Sequence, residues 1–263
     1  MITSKGPVDV NAFLGSYPWR RVAGTTPEGL LAAMDRVGIA QAWVTHLPSL
    51  FWKDPAEGNE WLYTLGINQP RLLPVPYIQP ELANWRDVLA QATVHPVPAI
   101  RCDPQFQGMN PTGGAMLELV AAAGEVGIPL MMAVKLEDVR QRHPQDVAGD
   151  LAPSAVRTLI RHHPRAKLIV THADRGFIEE VHYGSTPDEA RRIWWDICWI
   201  WGPPEDHLNT LVGTMGAERF LFGTGMPLRL PENGPAKLDL SRLSGDHRGA
   251  IERDNATWAS KRD

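Results

Sequence analysis

Short apolar runs alternate with longer amphipathic segments along almost the whole chain. The apolar runs, rich in Val, Ile, Leu and Phe, predict eight buried β-strands at 7–14, 40–47, 71–78, 99–103, 129–136, 167–173, 193–200 and 219–224. Helical segments fill the intervals, as in βα units repeated on a parallel sheet. Eight such units close a barrel, so we predict an α/β fold that is a single (β/α)8 TIM barrel.

Helix boundaries support this interpretation. A helix is predicted over 26–37, where Thr26 is a suitable N-cap, Pro27 suits the first turn and Gly38 ends the apolar periodicity. Similar stop signals predict helices over 115–126 and 154–162. An open doubly wound sheet is the rival arrangement, but the glycine-rich nucleotide-binding turn typical of that fold is missing.

Composition narrows the class of protein. The chain has 263 residues, 43% hydrophobic and 21% charged, with no linker-like stretch, so we expect one domain over 1–263. Its net charge of −4 and the lack of a basic run argue against a nucleic-acid partner. Cys102 and Cys198 form no metal or disulfide motif, and neither a signal peptide nor a membrane span is predicted. We therefore expect a cytoplasmic protein without a membrane partner.

Polar residues are concentrated where the predicted strands end, which is where barrel enzymes place their active sites. On the inward-facing positions of the strands the sequence places Asp9, Asn11, His46, Tyr77, Gln79, Arg101, Asp103, Lys135, Glu137, His172, Asp174, Asp196, Cys198 and Thr224. Such residues pair with one another or with a ligand, because an unpaired buried charge is costly.

Four motifs in this order resemble the amidohydrolase superfamily, and in particular its amidohydrolase-related (amidohydrolase 2) branch of metal-dependent TIM-barrel hydrolases and decarboxylases. VDVNAFLG (8–15) is similar to that branch's first-strand D-x-H-x-H-x-G, and LIVTHADRG (168–176) resembles its sixth strand, which ends in His. LFGTGMP (221–227) is similar to its F-G-S-D-x-P, and DNATWAS (254–260) to its closing helix. The resemblance covers nearly the whole chain and implies the barrel fold.

The departures from the family pattern concern its metal ligands. The first-strand histidines fall on Asn11 and Phe13, and the eighth-strand aspartate falls on Gly225. Phe and Gly offer no ligand atom, so the sequence predicts a degenerate metal site, no metal and no cofactor. The superfamily includes metal-free lactonases, although these keep the aspartate that is missing here. A site rebuilt from Asp9, Asn11, His172 and an aspartate is the remaining metal-dependent alternative.

His172 is the candidate for acid/base work, because imidazole titrates near neutrality and the resemblance places this residue at the barrel mouth. Asp174 or Asp103 would orient or assist it. The alternative is a structural histidine with its hydrogen bonds satisfied.

Several residues are candidates for substrate binding. Arg101 and Lys135 would hold a negatively charged group, or they would neutralise Asp103 and Glu137, which is the interpretation favoured for Lys135. Asn11 would donate a hydrogen bond, and Trp19 with Arg20 would cover the ligand from the first loop.

The function that follows is an amidohydrolase-like, metal-independent hydrolase or related acid/base lyase acting on a small anionic or carbonyl-containing compound. The expected partner is therefore a small molecule that carries a carboxylate, with a homo-oligomer as a further possibility. The alternative is a catalytically inactive barrel that binds a ligand or has a structural role.

Overall fold

The computed structural model describes residues 6–262, so residues 1–5 and 263 of the domain predicted over 1–263 lie outside it. Eight parallel strands follow the predicted order. They are β1 (Val8–Leu14), β2 (Gln41–His46), β3 (Leu72–Pro74), β4 (Ile100–Arg101), β5 (Leu130–Ala133), β6 (Leu168–Thr171), β7 (Ile193–Asp196) and β8 (Phe220–Leu221).

Hydrogen bonds between consecutive strands close these strands into the predicted barrel. The ladders run β1-β2-β3 and β4-β5-β6-β7-β8. Arg101 joins the two groups, because its N–H donates to the Pro76 carbonyl at 2.9 Å and its carbonyl accepts from Ile78 N at 2.8 Å. At the other seam, Val10 N donates to the Phe222 carbonyl at 2.9 Å, which links the first strand to the last. The TIM-barrel prediction is therefore confirmed.

Helices surround the strands. They are α1 (Pro27–Val37), α2 (Ala56–Asn68), α3 (Trp85–Val94), α4 (Gly114–Glu125), α5 (Pro153–His162), α6 (Arg175–Tyr183), α7 (Pro187–Ala190), α8 (His207–Met215), α9 (Asn233–Leu240), α10 (Gly245–Gly249) and α11 (Asn255–Ala259). None of those within residues 6–262 has both the length and the apolar character that crossing a membrane requires.

The boundaries of α1 show why the helix predictions succeed. The Thr26 side chain accepts a hydrogen bond from Gly29 N, and Pro27 occupies the first turn, where no N–H is needed. Gly38 ends the helix with φ of 75°, a left-handed conformation that glycine adopts without steric cost.

Alternation along the strands divides the apolar residues into two layers. Leu130, Met132 and their counterparts on neighbouring strands pack in the large cluster formed with the surrounding helices. Inside the barrel a smaller cluster contains Met131, Ile169 and Leu221. This smaller cluster forms the apolar floor of the barrel, and polar side chains occupy the C-terminal end of the barrel above it.

All eight strands are shorter than predicted, and the physical reason is clearest for the third and the seventh. The prediction of 71–78 for the third strand is wrong in length, because Pro74 and Pro76 lack the N–H that a ladder needs. The seventh strand ends at Asp196, and the chain then turns, with Ile200 N donating to the Ile197 carbonyl at 3.2 Å. Trp199 therefore lies in a loop at the barrel mouth, outside the predicted strand 193–200.

Candidate active site

His172 lies directly after β6, in the centre of the barrel mouth, and is fully buried. Its φ of 59° places a non-glycine residue in the left-handed region, a conformation that is held only where the surroundings impose it. The restraint is visible, because the His172 N–H donates to Asp196 Oδ1 at 2.9 Å. Asp196 thus fixes the backbone that carries the imidazole.

Asn11 completes the arrangement around this imidazole. A register shift in β1 between Asp9 and Ala12 accompanies its inward placement, as β-bulges beside active sites do. Its amide Nδ2 donates to Asp196 Oδ2 at 2.7 Å and lies 3.3 Å from His172 Nδ1. Because that amide nitrogen is a donor, it favours the tautomer in which Nδ1 accepts and Nε2 carries the proton.

The Nε2 atom of His172 is the end of the imidazole without a partner. It is buried and has no hydrogen-bond partner among the described residues. A Cβ built on Gly225 would lie 3.3 Å from this nitrogen and 3.6 Å from Cys198 Sγ. Gly225 therefore adjoins the imidazole directly, and a larger residue at this position would crowd Nε2.

The electrostatic environment of His172 is positive. Burial lowers the pKa of its imidazole well below the ordinary value, and the charges of Arg229, Arg101 and Lys135 lower it further. The ring is therefore neutral at neutral pH. Burial and the nearby Asp196 carboxylate raise the pKa of the Cys198 thiol, so this cysteine is not a thiolate nucleophile at that pH.

Arg101 is fully buried on the β4 side of the cluster. Its Nε donates to Asp103 Oδ2 at 2.7 Å, and its Nη1 lies 3.3 Å from Asn11 Oδ1. Asp103 Oδ1 also accepts from Ala133 N at 2.6 Å. Both carboxylate oxygens are thus engaged in holding β4 against β5, and Asp103 makes no hydrogen bond to His172.

The other residues proposed from the sequence lie at the rim. Asp174 caps α6 by accepting from Phe177 N at 3.0 Å, and its other oxygen lies 3.4 Å from Lys135 Nζ. Arg20 pairs with Glu137 at 2.8 Å. The structure thus pairs Lys135 internally, which is the alternative considered above, and it does not bring Asp174 into hydrogen-bond contact with His172.

Trp19 also lies at the rim, where its ring stacks on His143 with 5.4 Å between the centroids.

Two cations at the site were not proposed from the sequence. The Arg229 guanidinium lies 3.8 Å from the ring centre of Trp199, and Lys237 Nζ donates to the carbonyls of Ile197 and Cys198. Burial lowers the pKa of Lys237 to about 8. Arg229 follows the eighth-strand motif by only two residues, so proximity to LFGTGMP was the one available signal.

The family model described as Amidohydrolase matches residues 75–257, which is well over half of the chain. The chain belongs to the amidohydrolase family. No curated protein matches the sequence. The match spans β4 to the closing helix and includes His172 and the Gly225 position.

Solved structures share the barrel of this amidohydrolase at low identity. A 5-carboxyvanillate decarboxylase from Sphingomonas paucimobilis aligns with TM-score 0.72 and 11% identity, covering 98% of this chain and 99% of that one. A putative 2-pyrone-4,6-dicarboxylic acid hydrolase from Pseudomonas putida gives 0.68 and 18%, with 97% of each chain covered. A dihydroxybenzoic acid decarboxylase from Polaromonas, with bound manganese and 2-nitroresorcinol, gives 0.72 and 14%, covering 97% and 96%.

The metal ligands considered from the sequence can be compared with the structure. Phe13 and Gly225 carry no side-chain donor atom for a metal. Asp9 is engaged elsewhere, because its carboxylate accepts from Thr224 N at 3.0 Å and from Thr224 Oγ1 at 2.5 Å. The rebuilt set considered from the sequence is therefore not assembled.

A different set of donors is present. Ligand atoms of His172, Asp196 and Cys198 lie within 4.8 Å of one another. However, both oxygens of Asp196 already accept hydrogen bonds, and three positive side chains act on His172. The charges of Arg229, Arg101 and Lys135 oppose the binding of a further cation at His172.

Proposed function

We propose that this amidohydrolase acts on a small carboxylate-bearing compound, by hydrolysis or a related acid/base reaction such as decarboxylation, without the family's divalent metal. One observation carries the proposal: the buried Nε2 of His172 has no hydrogen-bond partner among the described residues, and Arg229, Arg101 and Lys135 lie near enough to lower the pKa of the ring. Two of the similar structures are named as a 5-carboxyvanillate decarboxylase and a putative 2-pyrone-4,6-dicarboxylic acid hydrolase. These names support a carboxylate-bearing substrate.

The chemistry assigned to His172 follows from its neutral ring. With Asn11 donating toward Nδ1, Nε2 carries the one proton of the neutral ring, and it can donate a hydrogen bond to a substrate oxygen and stabilise negative charge there while keeping its proton. Both hydrolysis and decarboxylation develop negative charge on the substrate, and preorganised positive groups stabilise that charge in a site shielded from water.

The assisting groups differ from those expected from the sequence. In this proposal Asp196 takes the orienting role foreseen for Asp103 or Asp174, because its carboxylate holds both the His172 backbone and the Asn11 amide. Arg101 contributes its charge from inside the barrel wall, and Lys135 does so from the rim.

The test is a turnover assay on the purified protein with lactones, amides and aromatic carboxylates, followed by proton NMR and by carbon dioxide release. We expect turnover of at least one carboxylate-bearing compound, unchanged within about twofold after dialysis against a chelator. Loss of turnover on chelation, restored by zinc or manganese, would contradict metal independence. Binding of carboxylates without turnover in any class would favour the inactive-barrel alternative.

A further inference from the structure

A cavity of about 440 Å³ opens beside the group formed by His172, Asp196 and Cys198, and Cys198 is part of its wall. Its wall includes Cys198, Trp199, Arg229 and Lys237. Gly225 lies between this wall and the imidazole, because a Cβ built on it would lie 3.3 Å from both Arg229 Cδ and His172 Nε2. A molecule bound against Cys198 and Arg229 is therefore close to His172 Nε2, which is itself buried behind this wall.

Two cations on this wall have no anionic partner. Within residues 6–262, neither the Arg229 guanidinium nor the Lys237 ammonium forms an ion pair with a carboxylate, and Arg229 Nε is buried without any hydrogen bond. Every cation proposed from the sequence is paired, as Arg101 is with Asp103. Arg140, on the same cavity, is also paired, because its Nε lies 2.8 Å from Asp138 Oδ1.

Partly buried cations without a counter-charge are stabilised by an anion that enters with them. Leaving a charged group desolvated is costly, whereas a charge-assisted hydrogen bond to a carboxylate recovers that energy. A guanidinium also presents a planar pair of N–H groups that matches a carboxylate. The volume of the cavity suits a compact ligand, since small-molecule sites typically enclose about 300–1,000 Å³.

We propose that Arg229 and Lys237 form a carboxylate clamp and that its ligand is a small dicarboxylate. Two cations without an ion pair call for a dianion, because a monoanion would leave one of them unpaired. Arg229 pairs with one carboxylate and Lys237 with the other, and the end of the molecule at Arg229 is the reacting end, since Gly225 brings Arg229 close to His172 Nε2. The assignment of that reacting end rests on the proposed function, whereas the clamp itself concerns binding alone.

The test is calorimetric titration of the purified full chain with isophthalate, benzoate and the uncharged isophthalamide. We expect isophthalate to bind more tightly than benzoate, and isophthalamide not to bind. Arg229→Gln and Lys237→Gln should each weaken isophthalate binding by about tenfold or more, because each removes a charge-assisted hydrogen bond. Arg140→Gln, a change on the same wall at a paired arginine, should leave the affinity within about twofold.

The conservative variant Lys237→Arg separates charge from folding, since it should retain binding within a few-fold while Lys237→Gln does not. Circular dichroism melts verify that each variant is folded. The clamp is overturned if folded Arg229→Gln and Lys237→Gln bind isophthalate as the wild type does, or if the wild type shows no saturable binding up to about 10 mM. Binding of isophthalate without turnover of any compound would support the clamp and contradict the proposed function. Turnover that neither Arg229→Gln nor Lys237→Gln changes would support the proposed function and contradict the clamp.

Discussion

Replacing Arg101 with Met is expected to lower the free energy of unfolding by about 3–5 kcal/mol, because the change leaves the Asp103 carboxylate charged and buried without its partner. The pair is fully inaccessible to solvent, so water cannot compensate for the missing guanidinium. Urea denaturation, followed by far-ultraviolet circular dichroism, measures the change through the midpoint and slope of the transition.

Two further variants define the cause of that loss. Arg36→Met breaks an ion pair with Glu232 whose side chains are 57% and 48% exposed, and it should cost less than about 1 kcal/mol. Adding Asp103→Asn to Arg101→Met should recover part of the stability, because Asn removes the uncompensated charge and still offers an oxygen to Ala133 N. An Arg101→Met protein no less stable than Arg36→Met would contradict the role of a buried brace between β4 and β5.

Replacing His172 with Asn is expected to reduce turnover by about 10²–10³-fold, the usual contribution of one positioned hydrogen-bond donor to a developing negative charge. Asn is chosen because it tolerates the left-handed backbone that position 172 adopts, with φ of 59°, better than other substitutes do. The readout is kcat in the assay that establishes activity, together with isophthalate affinity, which should change little because the clamp residues are intact.

His162→Gln provides the matched control, because His162 lies at the exposed C-terminal end of α5, away from the barrel mouth. Its turnover should equal that of the wild type. Wild-type turnover in a folded His172→Asn protein would remove this residue from the chemistry and leave it with the structural role considered from the sequence.

The barrel could be predicted because its determinants are local. Apolar alternation identifies the strands, and capping residues such as Thr26 and Gly38 mark helix ends through contacts within a few positions of themselves. Strand lengths were less predictable, since β3 is interrupted by prolines that lack the N–H of a ladder and β7 ends where the chain turns at Ile197.

The site was predictable only in part, because ion pairing joins residues distant in sequence. His172 and Asn11 were identified and do lie together. The sequence could not show that Arg20 pairs with Glu137, 117 positions away, or that Lys135 faces Asp174. Those pairings decide which cations are free to bind a ligand, so Arg229 and Lys237 emerge only from the folded chain.

Metal content tests the central claim most directly. The claim is that this protein works without the family's divalent ion and that positive side chains stabilise the charge developing on the substrate. The protein is expressed with added zinc and manganese, freed of any affinity tag, dialysed and measured by elemental analysis beside its His172→Asn and Cys198→Ser variants. We predict metal well below one equivalent per chain in all three proteins, since Phe13 and Gly225 supply no ligands. Close to one equivalent in the wild type, lost in both variants, would contradict the claim and identify His172 and Cys198 as ligands of a rebuilt metal centre.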